Sequence, residues 1–468
     1  PGVYDIPNCG FRGVSVATNK MSVTAYRGAG RPEAALAIER AVDYFATEIG
    51  MDPADVRRRN FIPRFVEPYT TGIGTVYDVG DYGEAMRRVL DAADYAGLRA
   101  AQAEQRSSGA TVLTGLGLAV YVEITSAAAP TEYGEVQLLA DGRLRVLTGA
   151  TPYGQGHVTT WKMIIADRLG VPMDAVDVVH GDTDEVPSGG LTVGSRSVQV
   201  AGSSIVVAAG KLVDAARERA ASLLEAAVED VVLDADAGTF HVAGSSIVVA
   251  AGKLADAARE RAANLLEAAV EDVVLDADAG TFHVAGSSTP AVGWEDVAAA
   301  DAEPLVGLSD FKAAQPTFPF GAHVAVVDVD TETGRVTLQR LIAVDDAGTL
   351  LNPLIVEGQI HGGIAQGVAQ ALLEWMQYDE DGNPVTSNFA DYPVISAAEV
   401  PSYELVHMET PTWVNPLGAK GAGESGTIGS IPAVLNAVID ALSPLGVRHM
   451  DGPATPQRVW NAIAMARQ

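Results

Sequence analysis

The chain has one cysteine, Cys9, in 468 residues. A lone thiol excludes an internal disulfide, a cysteine-built zinc site and a cysteine-held iron–sulfur cluster within this chain. It also points to a reducing, cytoplasmic setting. Positive charge is short as well. Lys and Arg number 31 against 60 Asp and Glu, a net charge of -29, so nucleic acid and anionic membrane are poor partners. No unbroken apolar run reaches the length of about 18 residues that a membrane span needs, and no membrane insertion is expected. The start, PGVYDIPNCG, has neither the basic nor the apolar part of a signal peptide. It also lacks an initiating Met, as expected of a fragment or a processed product. What the chain does have is 48% hydrophobic residues with 19% charged, the composition of a packed globular protein long enough for two or three domains.

Glycine is abundant and unevenly spread. Five glycines (Gly418, Gly421, Gly423, Gly426 and Gly429) fall within twelve residues around one carboxylate, Glu424. An apolar run at helical spacing follows: Ile431, Val434, Leu435, Val438 and Ile439, with Pro432 expected in the first turn. Such a cluster implies unusual backbone angles or a backbone that approaches a ligand closely. Gly418 to Ser425 nearly spells a nucleotide-binding loop, but Glu424 stands where that loop needs a lysine. A carboxylate there would repel phosphate, which argues against a nucleotide site. Two readings stay open on these residues: a Gly-rich turn with a solvated glutamate, and a glutamate poised for proton abstraction.

In order, residues 11–27 alternate as a strand would, and a turn with Gly28 and Gly30 leads into a helix over 32–49. Short helical patterns follow over 53–59 and 81–98, with an exposed linker expected over 102–109. A domain of residues 1–110 and a second of 111–468 are expected. Strands are predicted over 111–124, 134–140, 143–149 and 176–180, with a helix over 158–169 after Tyr153-Gly154-Gln155-Gly156-His157. His157 has no second His or Cys at ligand spacing, and no metal site of protein ligands is expected. Asp182 and Asp184 read as turn acids rather than cation ligands. Residues 200–241 recur as 242–283 with two changes, Val213 to Ala255 and Ser222 to Asn264. Each copy predicts a helix (203–228, 245–270) and a hairpin (231–241, 273–283). Two copies cannot fill one packing site, so one unit is expected to be surplus. Strands over 321–329, 336–346 and 402–408 and a helix over 353–373 complete the pattern. Strands and helices alternate without a clean βαβ period, which predicts an α+β fold.

Five motifs stand in register across nearly the whole chain: AYRGAGRPEA (25–34), PYGQGH (152–157), VGSRS (193–197), NPLIVEGQIHGGIAQG (352–367) and GAKGAGESG (418–426). On these the chain resembles the C-terminal portion of the large, molybdenum-binding subunit of the xanthine dehydrogenase/aldehyde oxidase/carbon monoxide dehydrogenase family. The resemblance implies molybdopterin-binding domains with mixed sheets and packed helices, and a molybdenum–molybdopterin cofactor, in bacteria usually the cytosine dinucleotide form. It implies a molybdenum hydroxylase that oxidises an aldehyde or N-heterocycle, with Glu424 as the general base on a metal-bound hydroxyl. By the same resemblance Gln155, Gly156 and His157, and Gly194, Ser195 and Arg196, contact the pterin dinucleotide. Arg27, Gly28 and Ala29 face the metal, and Gly421 and Gly423 let backbone lie against it.

Three departures sharpen this. Carbon monoxide dehydrogenases carry a cysteine in the loop where this chain has Gly28, so a copper-bridged site cannot form there. Xanthine-type enzymes have phenylalanine where Ala29 stands, which argues against a purine-selective clamp. The chain also starts far into the family's subunit, and cofactor retention depends on the part that precedes it. The resemblance further implies an iron–sulfur small subunit with 2Fe-2S clusters and an FAD-binding medium subunit, in a dimer of heterotrimers. The alternative is a cofactor-free segment that only associates with such partners.

Overall fold

The structure, a computed structural model, describes residues 2–127, 131–242, 273–276, 281–284, 291–300 and 304–467. The chain forms two compact units, one of Pro1–Pro130, Thr192–Gln199 and Ala313–Gln468, the other of Thr131–Leu191 and Val200–Lys312. The expected boundary near 110 is therefore not where the units divide. Strand Val112–Val122 pairs along its length with Phe320–Asp330, which ties the N-terminal region to the C-terminal one.

The first unit is built on a four-stranded sheet. Its order is Glu404–Met408, Val336–Asp346, Phe320–Asp330, Val112–Val122. All pairs are antiparallel except the first, which is parallel. Period-two alternation sends one set of side chains to each face. Leu116, Leu118, Val120, Val324 and Val344 pack with helix Tyr82–Ala93 on one side. Ala119, Ala325, Val327 and Ala343 pack with helices Pro353–Leu372 and Ser425–Leu442 on the other. The last helix can lie so close because Gly115 and Gly117 face it. A Cβ on either would come within 1.9 Å of the carbonyl of Ala437 or Ala433.

The second unit has its own four-stranded sheet, in the order Leu305–Lys312, Thr131–Leu138, Leu144–Thr148, Val176–Val179, backed by helix Ser203–Leu223. An α+β architecture results in both units. Helices Val198–Leu223 and Ser425–Leu445 pass a length-and-hydropathy test for a membrane span, though 61% and 78% of their apolar windows are buried inside the protein. Each carries the apolar face of a core helix.

Several sequence expectations need correction. Residues 11–26 form no strand, and Phe11 and Val23 are fully exposed. Alternation describes two faces, but among the described residues no strand pairs with this stretch. The single helix expected over 81–98 is two, Tyr82–Ala93 and Tyr95–Ser107. They are broken at Asp94, whose φ of 52° ends the first and whose carboxylate caps the second. The expected linker over 102–109 is therefore largely helical, held by the buried Gln102 amide donating to Asp440 at 2.6 Å. Asp182 and Asp184 do form a turn, with the Asp184 N–H donating to Asp182 at 2.9 Å.

The repeat is used unequally. In the first copy, helix Ser203–Leu223 is buried along its apolar face, and the hairpin Val231–Asp234/Thr239–Val242 is extended by strand Ala291–Gly293. In the second copy, Val273–Asp276 pairs with Thr281–Val284 as a separate two-stranded sheet, and the helix expected over 245–270 lies outside the described residues. Matched variants test the inequality. Leu212 is fully buried, so Leu212→Ala is expected to cost about 2–5 kcal/mol in denaturant unfolding. Two copies cannot fill one packing site, so Leu254→Ala in the second copy is expected to change stability by about 0.5 kcal/mol or less. Equal losses from both variants would show both copies packed alike.

Candidate active site

Glu424 stands just before helix Ser425–Leu442. The positive end of that helix favours a carboxylate. Two donors hold it: the Gly28 N–H at 2.8 Å from Oε1 and the Ser195 hydroxyl at 3.2 Å from Oε2. Among the described residues no ion pair forms at Glu424. The two donors orient the carboxylate at the start of the helix.

The loops that bring these donors are held in left-handed conformations. Gly28 (φ 101°), Ala29 (φ 46°) and Gly30 (φ 86°) follow one another. A side chain at Gly28 would meet the Pro32 ring at 2.4 Å, so only glycine fits there. Ser195 also has positive φ, 49°, and the Gly194 carbonyl accepts from the Ser126 N–H at 3.0 Å. Left-handed non-glycine residues cost energy and persist where surrounding structure over-determines them. Here they aim one N–H and one hydroxyl at the same carboxylate.

Arg27 serves the scaffold. Its Nε donates to the Gly423 carbonyl at 2.5 Å, Nη1 to Gln366 at 2.9 Å and Nη2 to the Gln359 carbonyl at 3.0 Å. It therefore clamps the turn carrying Glu424 to helix Pro353–Leu372. The glycines of the Gly-rich stretch admit close neighbours from the protein itself. A Cβ on Gly421 would lie 2.0 Å from the Ser195 carbonyl, one on Gly426 2.4 Å from that of Ile360, and one on Gly429 2.6 Å from the His323 ring. At these three glycines the missing Cβ makes room for protein. Gly423 is less crowded, with the Ser195 hydroxyl 3.5 Å from such a Cβ. Pro432 lies inside the helix rather than in its first turn, because the helix begins at Ser425.

The lysine of the same motif is buried too. Lys420 Nζ donates to Asp346 at 2.9 Å and to Thr410 at 3.0 Å, and lies 5.0 Å from the Phe320 ring centre. Burial raises the Asp346 carboxyl, and Lys420 acts against that rise. The segment before Glu424 is anchored into the sheet by this pair.

Sequence reasoning missed Glu123, Ser126, Ser425, Gln359 and Gln366. Glu123 follows the apolar strand Val112–Val122 directly and is fully buried. An acid ending such a strand was the signal available. The Ser425 hydroxyl donates to Glu123 Oε2 at 2.9 Å. Burial first, and the Glu424 charge second, push the Glu123 carboxyl up to about 8. Ser195, Arg31 and Ser425 oppose that rise.

Thus Arg27, Gly28, Ala29, Gly194, Ser195, Arg196, Gly421, Gly423 and Glu424 all belong to the first unit. Arg196 is largely buried beside Ser195 in sequence. Gln155, Gly156 and His157 belong to the second. Gln155 turns back to accept from the Tyr153 N–H at 2.5 Å. Gly156 (φ 75°) precedes helix His157–Leu169. His157 is buried with no hydrogen-bond partner at Nδ1, and burial lowers its pKa, keeping the ring neutral at pH 7. Free N–H groups at a helix start suit a phosphate, and an unpartnered imidazole nitrogen suits a polar ligand group. Among the described residues no group of three or more His, Cys, Asp or Glu is placed to hold a metal. The loop at 154–157 offers chemistry that fits a phosphate-bearing cofactor.

Comparison with known proteins bears on that fit. The description "molybdopterin cofactor-binding domain" matches residues 1–61 in one form, and 88–243 and 237–401 in a second. The last two stretches overlap at the seam of the repeat. The chain is 37% identical over 480 residues to the carbon monoxide dehydrogenase large chain of Hydrogenophaga pseudoflava, covering 99% of this chain and 55% of the relative. It is 34% identical over 476 residues to the nicotine 6-hydroxylase large subunit of Paenarthrobacter nicotinovorans, covering 98% and 53%. The crystal structure of quinoline 2-oxidoreductase from Pseudomonas putida 86 superposes with a TM-score of 0.81 at 33% identity, over 99% of this chain and 56% of that one. The chain spans about half the length of the curated relatives it matches, 55% and 53% for these two.

Proposed function

The chain belongs to the molybdopterin cofactor-binding domain family, and from that premise we propose that it is the base-bearing segment of a molybdenum hydroxylase. Its substrate in this reading is an aldehyde or an N-heterocycle, with water as the source of oxygen. The observation that carries the reading is the state of Glu424, held by Gly28 and Ser195 and left without an ion pair among the described residues. When bound, the molybdenum–pterin group supplies the oxidising centre and the activated oxygen. The chain's own residues supply a proton acceptor at Glu424 and an anion-binding loop at Gln155, Gly156 and His157. Ala29 is small, and Gly28 carries no thiolate. Both features favour an organic substrate over a copper-dependent reaction with carbon monoxide, although a carbon monoxide dehydrogenase chain is among the relatives.

The same reading assigns the cofactor the cytosine dinucleotide form and places the chain in a cytoplasmic enzyme. These 468 residues hold one cysteine, and in this reading electrons leave through an iron–sulfur small subunit and an FAD-binding medium subunit in a dimer of heterotrimers. Molybdenum analysis tests the assignment. The chain co-assembled with the remaining half of a large subunit and both partner subunits is expected to hold about one molybdenum per large subunit, as one cofactor site requires. Metal-free material from that assembly would instead support the alternative, a segment that only associates with partners.

A further inference from the structure

Behind Glu424 lies a second carboxyl that the proposed reaction does not use. Glu123 is fully buried, its Oε2 accepts from Ser425, the residue after Glu424, and its Oε1 has no hydrogen-bond partner. Ser195 lies near both acids: its hydroxyl donates to Glu424 and also acts on the Glu123 titration. A serine hydroxyl has one proton to donate. Two carboxylates that both demand it cannot both be served.

We propose that Glu123 is a positioning residue for Glu424: the two carboxyls, joined through Ser195 and Ser425, carry a single negative charge, and Glu123 leaves that charge and the Ser195 proton to Glu424. The inference rests on the proposed role of Glu424 and deepens it. Like charges held close in a buried site ionise one at a time. The groups facing Glu123 fit this. Arg31 and Arg27 are the cations whose fields reach it. Tyr121 on the strand before it gives its hydroxyl to Asp345, and Asp345 also faces His323 at 3.1 Å. Arg31, Ser195 and Ser425 favour ionisation of Glu123, but burial and the Glu424 charge outweigh them. With its carboxyl pushed up to about 8, Glu123 is neutral at pH 7 and ionises above about 8. Ionisation would set two charges in competition for Ser195 and loosen the Oε2 side of Glu424. Glu123 thereby sets the upper pH limit of the oriented base.

Infrared difference spectra of the 468-residue chain against Glu123→Gln test this without any cofactor. The expected result is a protonated-carboxyl band at pH 7 that is absent in the variant and disappears as the pH passes about 8, the value set by burial and the Glu424 charge. In a Glu424→Gln background the midpoint is expected to fall by about one pH unit, since a strongly interacting partner charge is gone. Ser425→Ala, which removes a donor to Glu123, is expected to raise the midpoint, and provides a second reading if Glu123→Gln does not fold. Absence of the band at pH 7, or a midpoint indifferent to Glu424→Gln, overturns the inference. Neither outcome touches the assignment of Glu424 as base, which stands or falls on turnover.

Discussion

Glu424→Gln is expected to lower turnover of the proposed assembled enzyme by about 10²–10⁴-fold, the usual contribution of a positioned general base, and to leave its molybdenum content unchanged. The structure makes this variant unusually clean. The Gly28 N–H donates to Oε1, and an amide oxygen accepts that bond as well as a carboxylate oxygen does. The other contact is with the Ser195 hydroxyl, which can turn to accept from the new amide N–H. Shape and loop geometry are therefore retained, and what is lost is the ability to take a proton. Single-turnover kinetics with metal analysis on the same preparation provide the check. A variant that keeps most of its activity would sink the general base, and one that loses its metal would reassign Glu424 to cofactor retention.

The largest stability effect is expected four residues earlier. Lys420→Met should cost about 3–5 kcal/mol, the range for breaking a buried ion pair by removing one partner. Lys420 and Asp346 are both fully buried, 2.9 Å apart. Met fills similar volume but leaves Asp346 with only the Thr410 hydroxyl at 2.7 Å and the Gly348 N–H at 3.2 Å. Since burial already raises the Asp346 carboxyl, removing the lysine should raise it further. Denaturant unfolding measures the loss. Adding Asp346→Asn to the variant should restore part of it, because a neutral amide is cheaper to bury unpaired than a charge. A loss below about 1 kcal/mol, ordinary for a surface change, would mean that the pair contributes little. The effect reaches function by a short route, because Lys420 anchors the segment from which Glu424 projects.

The same stretch separates what could be read from what could not. Glu424 stood out in GAKGAGESG because a carboxylate had replaced the lysine of a phosphate loop. Lys420, in the same nine residues, gave no sign of facing the sheet, since its partner Asp346 lies 74 residues away. Gly421, Gly426 and Gly429 suggested a ligand, yet each admits another part of the chain. A glycine announces close approach and is silent about what approaches. The strand expected over 11–27 failed for a related reason: alternation fits any extended chain, and whether it pairs depends on a strand elsewhere. Glu123 was legible only as an acid ending an apolar strand. Its meaning comes from Ser425, which is 302 residues away in the chain.

By itself the sequence determined the α+β class, most elements with strong local periodicity, the near-identical repeat and the family-bearing motifs. Those features rest on local spacing and composition, which need no knowledge of distant contacts. Tertiary structure alone decided that Arg27 is a clamp, that Lys420 is buried, that Glu123 stands behind Glu424 and that the first repeat copy fills the packing site. Each of these depends on residues brought together across tens to hundreds of positions. Chain closure and burial, not local preference, select such contacts.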